Sequence, residues 1–259
     1  MGTSRRCVGY GSRSSALHWV SFDELTELGE RSAMKRLIGS IGRWLLSPGE
    51  WAALRSLQTE RAIASYHRAG LRQIRKRSLS RPTKLNLGSG PYCKNGFLNV
   101  DLFPGADITL DLRRGLPFDS DSCELIFSEH CIEHIDYPEP ITLLFRECLR
   151  VLRPGGELRF SVPDAEWPLM DYGGGSDAAY FRACVQHAWH PKTCTTRLEH
   201  INYHFRQDGE HRFAYDFETA DKLLKGVGFI DVLARAFDPS LDSKHREIGS
   251  MFVSARKPM

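Results

Sequence analysis

The chain has 259 residues and a mass of 29.4 kDa, room for one full-size α/β domain with an extension and too little for two large domains. Its 41% apolar and 26% charged residues exclude wholesale disorder, collagen-like repeats and a disulfide scaffold. No apolar run reaches the roughly 18 residues of a spanning helix, and the basic N-terminus lacks the apolar core of a secretory signal. Seven scattered cysteines without a Cys-x-x-Cys pair fit reduced thiols, so the expected location is cytoplasmic. The net charge of +3 divides unevenly: residues 1–81 hold 15 Lys+Arg against 6 Asp+Glu, and residues 82–259 hold 20 against 26. A basic arm suits phosphates, anionic lipid or an acidic partner. The acidic remainder argues against nucleic-acid binding.

Residues 1–16, rich in Ser, Gly and Arg, are expected to be disordered. Met34, Leu37, Ile38, Ile41, Trp44 and Leu45 recur at helical steps, and Pro48 breaks the pattern. A second helix is expected over Glu50–Lys76, with Trp51, Leu54, Leu57, Ala62, Ile63, Tyr66 and Leu71 as its apolar members. The Ser78–Pro82 segment closes this part, so residues 1–81 read as a basic, mainly helical extension and 82–259 as the principal domain. Residues 34–77 could pack on that domain, join two subunits in a homo-oligomer, bind RNA through Arg72–Arg77, or lie on a membrane surface with Lys35, Arg36 and Arg43. That last reading puts the protein peripherally at the inner membrane surface.

After Pro82 the period shortens. Strands are expected at 84–87, 97–101, 107–112, 124–127, 157–162, 230–237 and 250–255. A helix from Glu139 presents Ile141, Leu144, Phe145, Cys148, Leu149 and Leu152 on one face and stops at Pro154-Gly155-Gly156. Asp216 caps another over Phe217, Ala220, Leu224 and Val227. Strands alternating with helices imply a mostly parallel sheet, with residues 165–215 an insertion that covers its mouth. In such sheets ligands bind beyond the carboxyl ends of the strands, where this chain puts Gly88-Ser89-Gly90, Asp101, Asp111, Ser128-Glu129-His130 and Asp164. Glycines let a ligand approach the backbone, Asp101 can accept two ribose hydroxyls, and Asp111 can accept from an exocyclic amine.

Leu85-Asn86-Leu87-Gly88-Ser89-Gly90, Asn99-Val100-Asp101, Leu116-Pro117-Phe118, Ser128-Glu129-His130-Cys131-Ile132-Glu133-His134 and Leu152-Arg153-Pro154-Gly155-Gly156, in that order, resemble a class I S-adenosylmethionine-dependent methyltransferase of the type 11 group. The segment from Gly209 to Thr219 is similar to a subgroup associated with sugar and polysaccharide biosynthesis. The resemblance implies a Rossmann-like, mostly parallel seven-stranded sheet and S-adenosyl-L-methionine as cofactor. Gly88, Ser89 and Gly90 would border its methionine part, Asp101 and Leu102 its ribose, and Asp111 and Leu112 its adenine. Ser128 and Glu129 would also contact the cofactor, and Glu129 and His130 would face the transferring methyl or its acceptor. Only six residues, Pro91–Gly96, separate the glycine loop from the second strand, so the usual first crossover helix must shrink to a turn.

A nicotinamide site would need a third glycine where Cys93 stands. No Asn/Asp-Pro-Pro-aromatic tetrapeptide follows strand four, which argues further against a nucleic-acid acceptor. The expected reaction is methyl transfer to a small molecule or glycan, at a hydroxyl oxygen. Its proton needs a base with a pKa near neutrality; His130 stands nearest the methyl, His211 is the alternative, and Glu129 is the accompanying acid. His200 and His204 have helical ligand spacing, but no Glu separates them and they read as lid polarity, so no metal is expected. The competing reading is a non-catalytic S-adenosylmethionine-binding scaffold recruited through its basic arm.

Overall fold

The computed structural model describes residues 46–103, 105–174 and 178–259. The Met34–Leu45 stripe and residues 1–16 lie outside them. Helix α1 (Pro48–Arg77) opens with a reciprocal cap: Ser47 Oγ accepts from the Glu50 amide, and the Glu50 carboxylate accepts from the Ser47 amide at 2.8 Å. Pro48 is its first residue, where a missing N–H costs nothing. The face that docks is His67, Gly70 and Ile74, its only buried positions. Leu57 stays half exposed, because only the last turns of α1 reach the sheet.

Strands β1 (Lys84–Leu87), β2 (Leu98–Asp101), β3 (Ile108–Thr109), β4 (Cys123–Glu129), β5 (Leu152–Pro163), β6 (Ile230–Ala234) and β7 (Ser250–Arg256) form one sheet in the order β3-β2-β1-β4-β5-β7-β6. The first five are parallel, and β7 runs antiparallel to β5 and β6. This is the Rossmann-like, seven-stranded arrangement expected from the sequence. β3 is shorter than expected because Asp111 accepts the Arg113 amide and starts a turn of 3-10 helix, Leu112–Arg114. β5 is longer, because Gly155 and Gly156 exchange backbone hydrogen bonds with Lys257.

Register divides the sheet into two unlike faces. Leu98, Leu85, Ile126, Leu158 and Ala255 form one row across it, and Val100, Leu87, Ser128, Phe160 and Val253 the next. These rows face the main core, covered by α2 (Glu139–Val151) and α6 (Phe217–Val227). Asp216 caps α6 by accepting from the Thr219 amide at 2.8 Å. The opposite face carries the row Asn99, Asn86, Phe127, Arg159 and Ser254. Among the described residues no crossover helix covers it, since only ten residues, Gly88–Phe97, join β1 to β2. Its cover is the β6–β7 connection, residues 235–249. There Asp238 pairs with Arg159 at 3.3 Å and the Leu241 carbonyl accepts from Lys94 Nζ at 2.6 Å. The Lys94 ammonium in turn sits 4.6 Å above the Phe127 ring.

Helices α3 (Glu166–Asp171), α4 (Ala179–Gln186) and α5 (Arg197–Arg206) hold a separate small core of Tyr180, Phe181, Cys184 and Ile201. Helix α1 meets the far edge of the sheet. Thr109 Oγ1 donates to the Tyr66 carbonyl at 3.2 Å, the Asp111 amide donates to His67 Nδ1, and a Cβ on Gly70 would fall 1.9 Å from the Thr109 carbonyl oxygen. Gly70→Ala should therefore lower stability by about 1–3 kcal/mol through overpacking, read as a lower denaturant midpoint at unchanged slope. A raised midpoint, from helix propensity alone, would show that α1 does not lie against β3.

Candidate active site

At the carboxyl end of β1 the chain turns through Gly88 (φ +68°), Ser89 and Gly90 (φ +49°). Both glycines hold left-handed backbone that side chains disfavour. A Cβ on Gly88 would lie 2.2 Å from Cys131 Sγ, whereas one on Gly90 would meet nothing within 4 Å. The loop thus packs on the segment after β4 while its tip faces open space. Asp101, at the end of β2, ties the loop in place: its Oδ2 accepts from the Gly90 amide at 2.7 Å and its Oδ1 from the Phe103 amide at 2.8 Å. Burial raises the pKa of this carboxyl above its ordinary value. Ser89 Oγ and Ser128 Oγ are buried without a hydrogen-bond partner. Open backbone, an unsatisfied hydroxyl and a poised carboxylate fit a ligand with an amino-acid end and a ribose.

The loop borders a narrow cleft shared with Glu129, His130, Lys94 and Arg246. Of the residues expected at the cofactor, Gly88, Ser89, Gly90, Glu129 and His130 line it. Asp101 stands behind Gly90, with Leu102 half-buried after it. Ser128 lies in a core-facing row. Asp111 and Leu112 are elsewhere engaged. The Asp111 carboxylate accepts from Arg113 Nε at 2.8 Å and Nη2 at 3.0 Å, and Arg113 also grips Glu60 of α1. Leu112 is part of the main core.

Glu129 receives the Ser243 amide at 2.8 Å and the Ser243 hydroxyl at 2.5 Å. His130 takes the left-handed conformation, φ +48°, held by its amide hydrogen bond to the Ser161 carbonyl at 2.9 Å. Arg246 Nη1 donates to His130 Nδ1 at 3.1 Å, so the Nε2–H points to Ser250 Oγ at 2.7 Å. Burial first, and the Arg246 charge second, push the pKa of His130 well below the usual histidine range. The ring is neutral and clamped at both nitrogens.

One turn further, Ile132–His134 forms a 3-10 turn that sends Glu133 inward, 2% exposed. Burial lifts the Glu133 carboxyl to about 8 and lowers His134 to about 3. The Arg212 and Phe213 amides donate to the Glu133 carbonyl at 2.7 and 3.2 Å, which pins the 211–213 segment over it. His211, half-buried, packs edge-on against His134 with ring centroids 4.9 Å apart. The structure parts His200 from His204. His204 Nε2 donates to the Asp164 carbonyl at 3.0 Å, while His200 Nδ1 meets His190 Nδ1 at 2.8 Å near Cys184.

Sequence reasoning overlooks Arg246, Ser243 and Ser250, which reach the site from more than 100 residues away and leave no local pattern. Glu133 is different. It stands in the segment after β4, and its burial without hydrogen bonds is a tertiary effect.

Residues 101–160 match a family model described as a methyltransferase domain, in line with the enzyme class and cofactor read from the sequence. No curated protein matches the chain. Among solved structures, the chain is similar to Haemonchus contortus phosphoethanolamine N-methyltransferase 2 in complex with S-adenosyl-L-methionine, at 17% identity over 68% of this chain and 48% of that one, TM-score 0.39. It is similar also to an S-adenosylmethionine-dependent methyltransferase from Mesorhizobium loti, at 19% identity over 70% and 94%, TM-score 0.40. A third is an S-adenosylmethionine-dependent methyltransferase from Archaeoglobus fulgidus, at 15% identity over 74% and 94%, TM-score 0.41. The chain spans about half the length of the phosphoethanolamine N-methyltransferase structures it matches.

The strap over the polar face hangs on a buried ion pair: the Asp242 carboxylate takes both terminal nitrogens of Arg235, at 2.5 and 2.7 Å, and the Asp238 amide at 2.7 Å. Asp242→Ala leaves Arg235 unpaired and should cost about 3–5 kcal/mol. Limited proteolysis should then cut within 235–249 before any other part of the principal domain. Unchanged stability and an uncut strap would mean that the pair does not hold it.

Proposed function

We propose that this protein transfers a methyl group from S-adenosyl-L-methionine to a hydroxyl oxygen of a small-molecule or glycan acceptor. The observation that carries the reading is the Gly88–Gly90 loop, latched to Asp101 through the Gly90 amide and opening on a cleft bounded by Glu129, His130 and Arg246. When bound, the cofactor supplies a methyl on a sulfonium, already activated for displacement. Gly88, Ser89 and Gly90 border its methionine part, and the Arg246 guanidinium offers the counter-charge for its carboxylate. Asp101 keeps one lone pair on each oxygen for the ribose hydroxyls, its other two being used by Gly90 and Phe103. Asp111 and Leu112 act by shaping the adenine side through backbone, since their side chains are committed to Arg113 and the core.

The acceptor enters beside His130, under the 165–215 insertion. With the cofactor activated, positioning supplies most of the catalysis. Glu129 and His130 serve it by fixing the strap and the cleft wall. With His130 clamped at both nitrogens, the hydroxyl proton leaves to water on the side of the half-buried His211. The Gly209–Thr219 similarity and the acidic charge of residues 82–259 favour a glycan or small molecule over nucleic acid. The extension would place the domain: the exposed first half of α1 and its basic last turn, Arg75, Lys76 and Arg77, suit a second subunit or an anionic surface. Among the described residues no helix is long and apolar enough to cross a membrane, and we place the protein in the cytoplasm. The clamped state of His130 leaves room for the scaffold reading, which turnover to S-adenosylhomocysteine separates from the enzymatic one.

Calorimetry with S-adenosylmethionine tests the cofactor assignment. Asp101→Ala, checked for folding by circular dichroism, should weaken binding by about 1.5–3 kcal/mol, the worth of hydrogen bonds to a charged group. Equal affinity in the folded variant removes Asp101 from the site.

A further inference from the structure

Glu133 is the least explained group in the molecule. It is 2% exposed, and neither carboxylate oxygen has a hydrogen-bond partner. A buried carboxylate without partners is costly, and native structures retain one where a proton, an ion or a ligand completes it. Three imidazoles stand against it; the Nδ1 of His130, 3.5 Å from Glu133 Oε1, already accepts from Arg246. His134 Nε2 lies 3.8 Å from Glu133 Oε1, and a carboxylate oxygen and one nitrogen each of His134 and His211 all lie within 4.8 Å of one another.

The orientation of the rings is set from behind. His134 Nδ1 faces the Glu210 carbonyl at 3.1 Å, and His211 Nδ1 faces the His204 carbonyl at 2.8 Å. A carbonyl only accepts, so each ring carries its proton on Nδ1 and presents Nε2 as the basic nitrogen. Backbone carbonyls fixing the tautomer of two histidines beside a carboxylate is the outer-shell arrangement found around metal-ligating imidazoles. The supports are rigid. The Arg212 and Phe213 amides hold the His211 segment to the Glu133 carbonyl, and Glu133 and His134 share one 3-10 turn.

We propose that Glu133, His134 and His211 form a binding site for a divalent first-row cation of the zinc or cobalt kind. Two imidazoles and one carboxylate suit such ions, whereas magnesium and calcium prefer all-oxygen sets. Donors about 2.0–2.2 Å from a common centre require these three side chains to close in by roughly an ångström. Three protein ligands leave a coordination position open. The half-buried His211 is the side from which it is reached. Resting on the methyl-transfer reading, that position would take the acceptor's hydroxyl oxygen, because a divalent cation lowers the pKa of an oxygen it binds; the oxygen's proton would leave to water on the His211 side as the oxygen takes the methyl. The cation would then do what the clamped His130 cannot. Arg246 is the nearby cation whose charge acts on Glu133, while its Nη1 donates to His130 Nδ1.

The test needs neither cofactor nor acceptor, so it stands apart from the methyl-transfer reading. The full chain carrying Cys184→Ser, which removes the thiolate from the other histidine cluster at His190 and His200, is stripped with chelator and titrated with Co2+. One equivalent should bind with visible d–d bands and no thiolate charge-transfer band. Adding Glu133→Gln, which keeps size and fold, should weaken Co2+ binding by more than about 100-fold, beyond the 10–100-fold loss typical of outer-shell changes. His211→Ala should do the same, and Zn2+ should raise the melting temperature of the Cys184→Ser chain but not of its Glu133→Gln derivative. Failure of the Cys184→Ser chain to bind Co2+, or a loss of less than about 100-fold in Glu133→Gln, overturns the site.

Discussion

The β1–β2 connection is too short for a helix, and much of the molecule follows from that constraint. Ten residues span a parallel crossover that ordinarily takes a dozen or more. They do it with side chains in place of a helical turn. Asn99 Oδ1 accepts from Lys94 N at 2.7 Å and from Asn86 Nδ2 at 2.9 Å, so two register neighbours bind the connection to the sheet. The face that lacks a helix carries the buried Asn86 and the partly exposed Glu129, Arg159 and Ser254, polar groups that suit a cover of loop. Phe127 on the same face is sealed by Lys94.

The strap that replaces the missing helix also builds the cleft. Residues 235–249 cross the carboxyl ends of β1 and β4, where a crossover helix would otherwise begin. Ser243 satisfies Glu129, and Arg246 and the adjacent Ser250 clamp His130. A covering element is thus also a wall of the cleft, and its own anchorage, the Arg235–Asp242 pair, is nearly out of water. The Trp189 ring rests over Gly249, where a Cβ would lie 2.9 Å from it, so the 165–215 insertion meets the strap at its end. Movement of the insertion would be felt at Ser250 and His130.

How much of this was legible in the sequence depended on range. Strands β1, β2, β4 and β7, the capped helix after Asp216, the α2 face and the shortened crossover were readable because local pattern and capping chemistry specify them. The glycine loop and Asp101 were readable together, since they lie at adjacent strand ends. The docking face of α1 was not: its Leu and Trp residues were the obvious stripe, but His67, Gly70 and Ile74 meet β3, because backbone closeness there favours glycine over bulk. Nor were the commitments of Asp111 to Arg113 and of His130 to Arg246. The first turns on Arg113 being held in place by the distant Glu60, and the second on where Arg246 lands; charge pattern alone encodes neither. The burial of Glu133 belongs to the same class, for the residues that seal it come from 204–215.

The central claim is that the glycine loop and Asp101 form a cofactor site under the strap. A crystal structure with S-adenosylhomocysteine measures it directly. The account predicts the ribose hydroxyls on Asp101, the amino-acid end between Gly88–Gly90 and Arg246, and the sulfur directed toward His130. A ligand bound away from the Gly88–Gly90 loop, or with its ribose clear of Asp101, would contradict it.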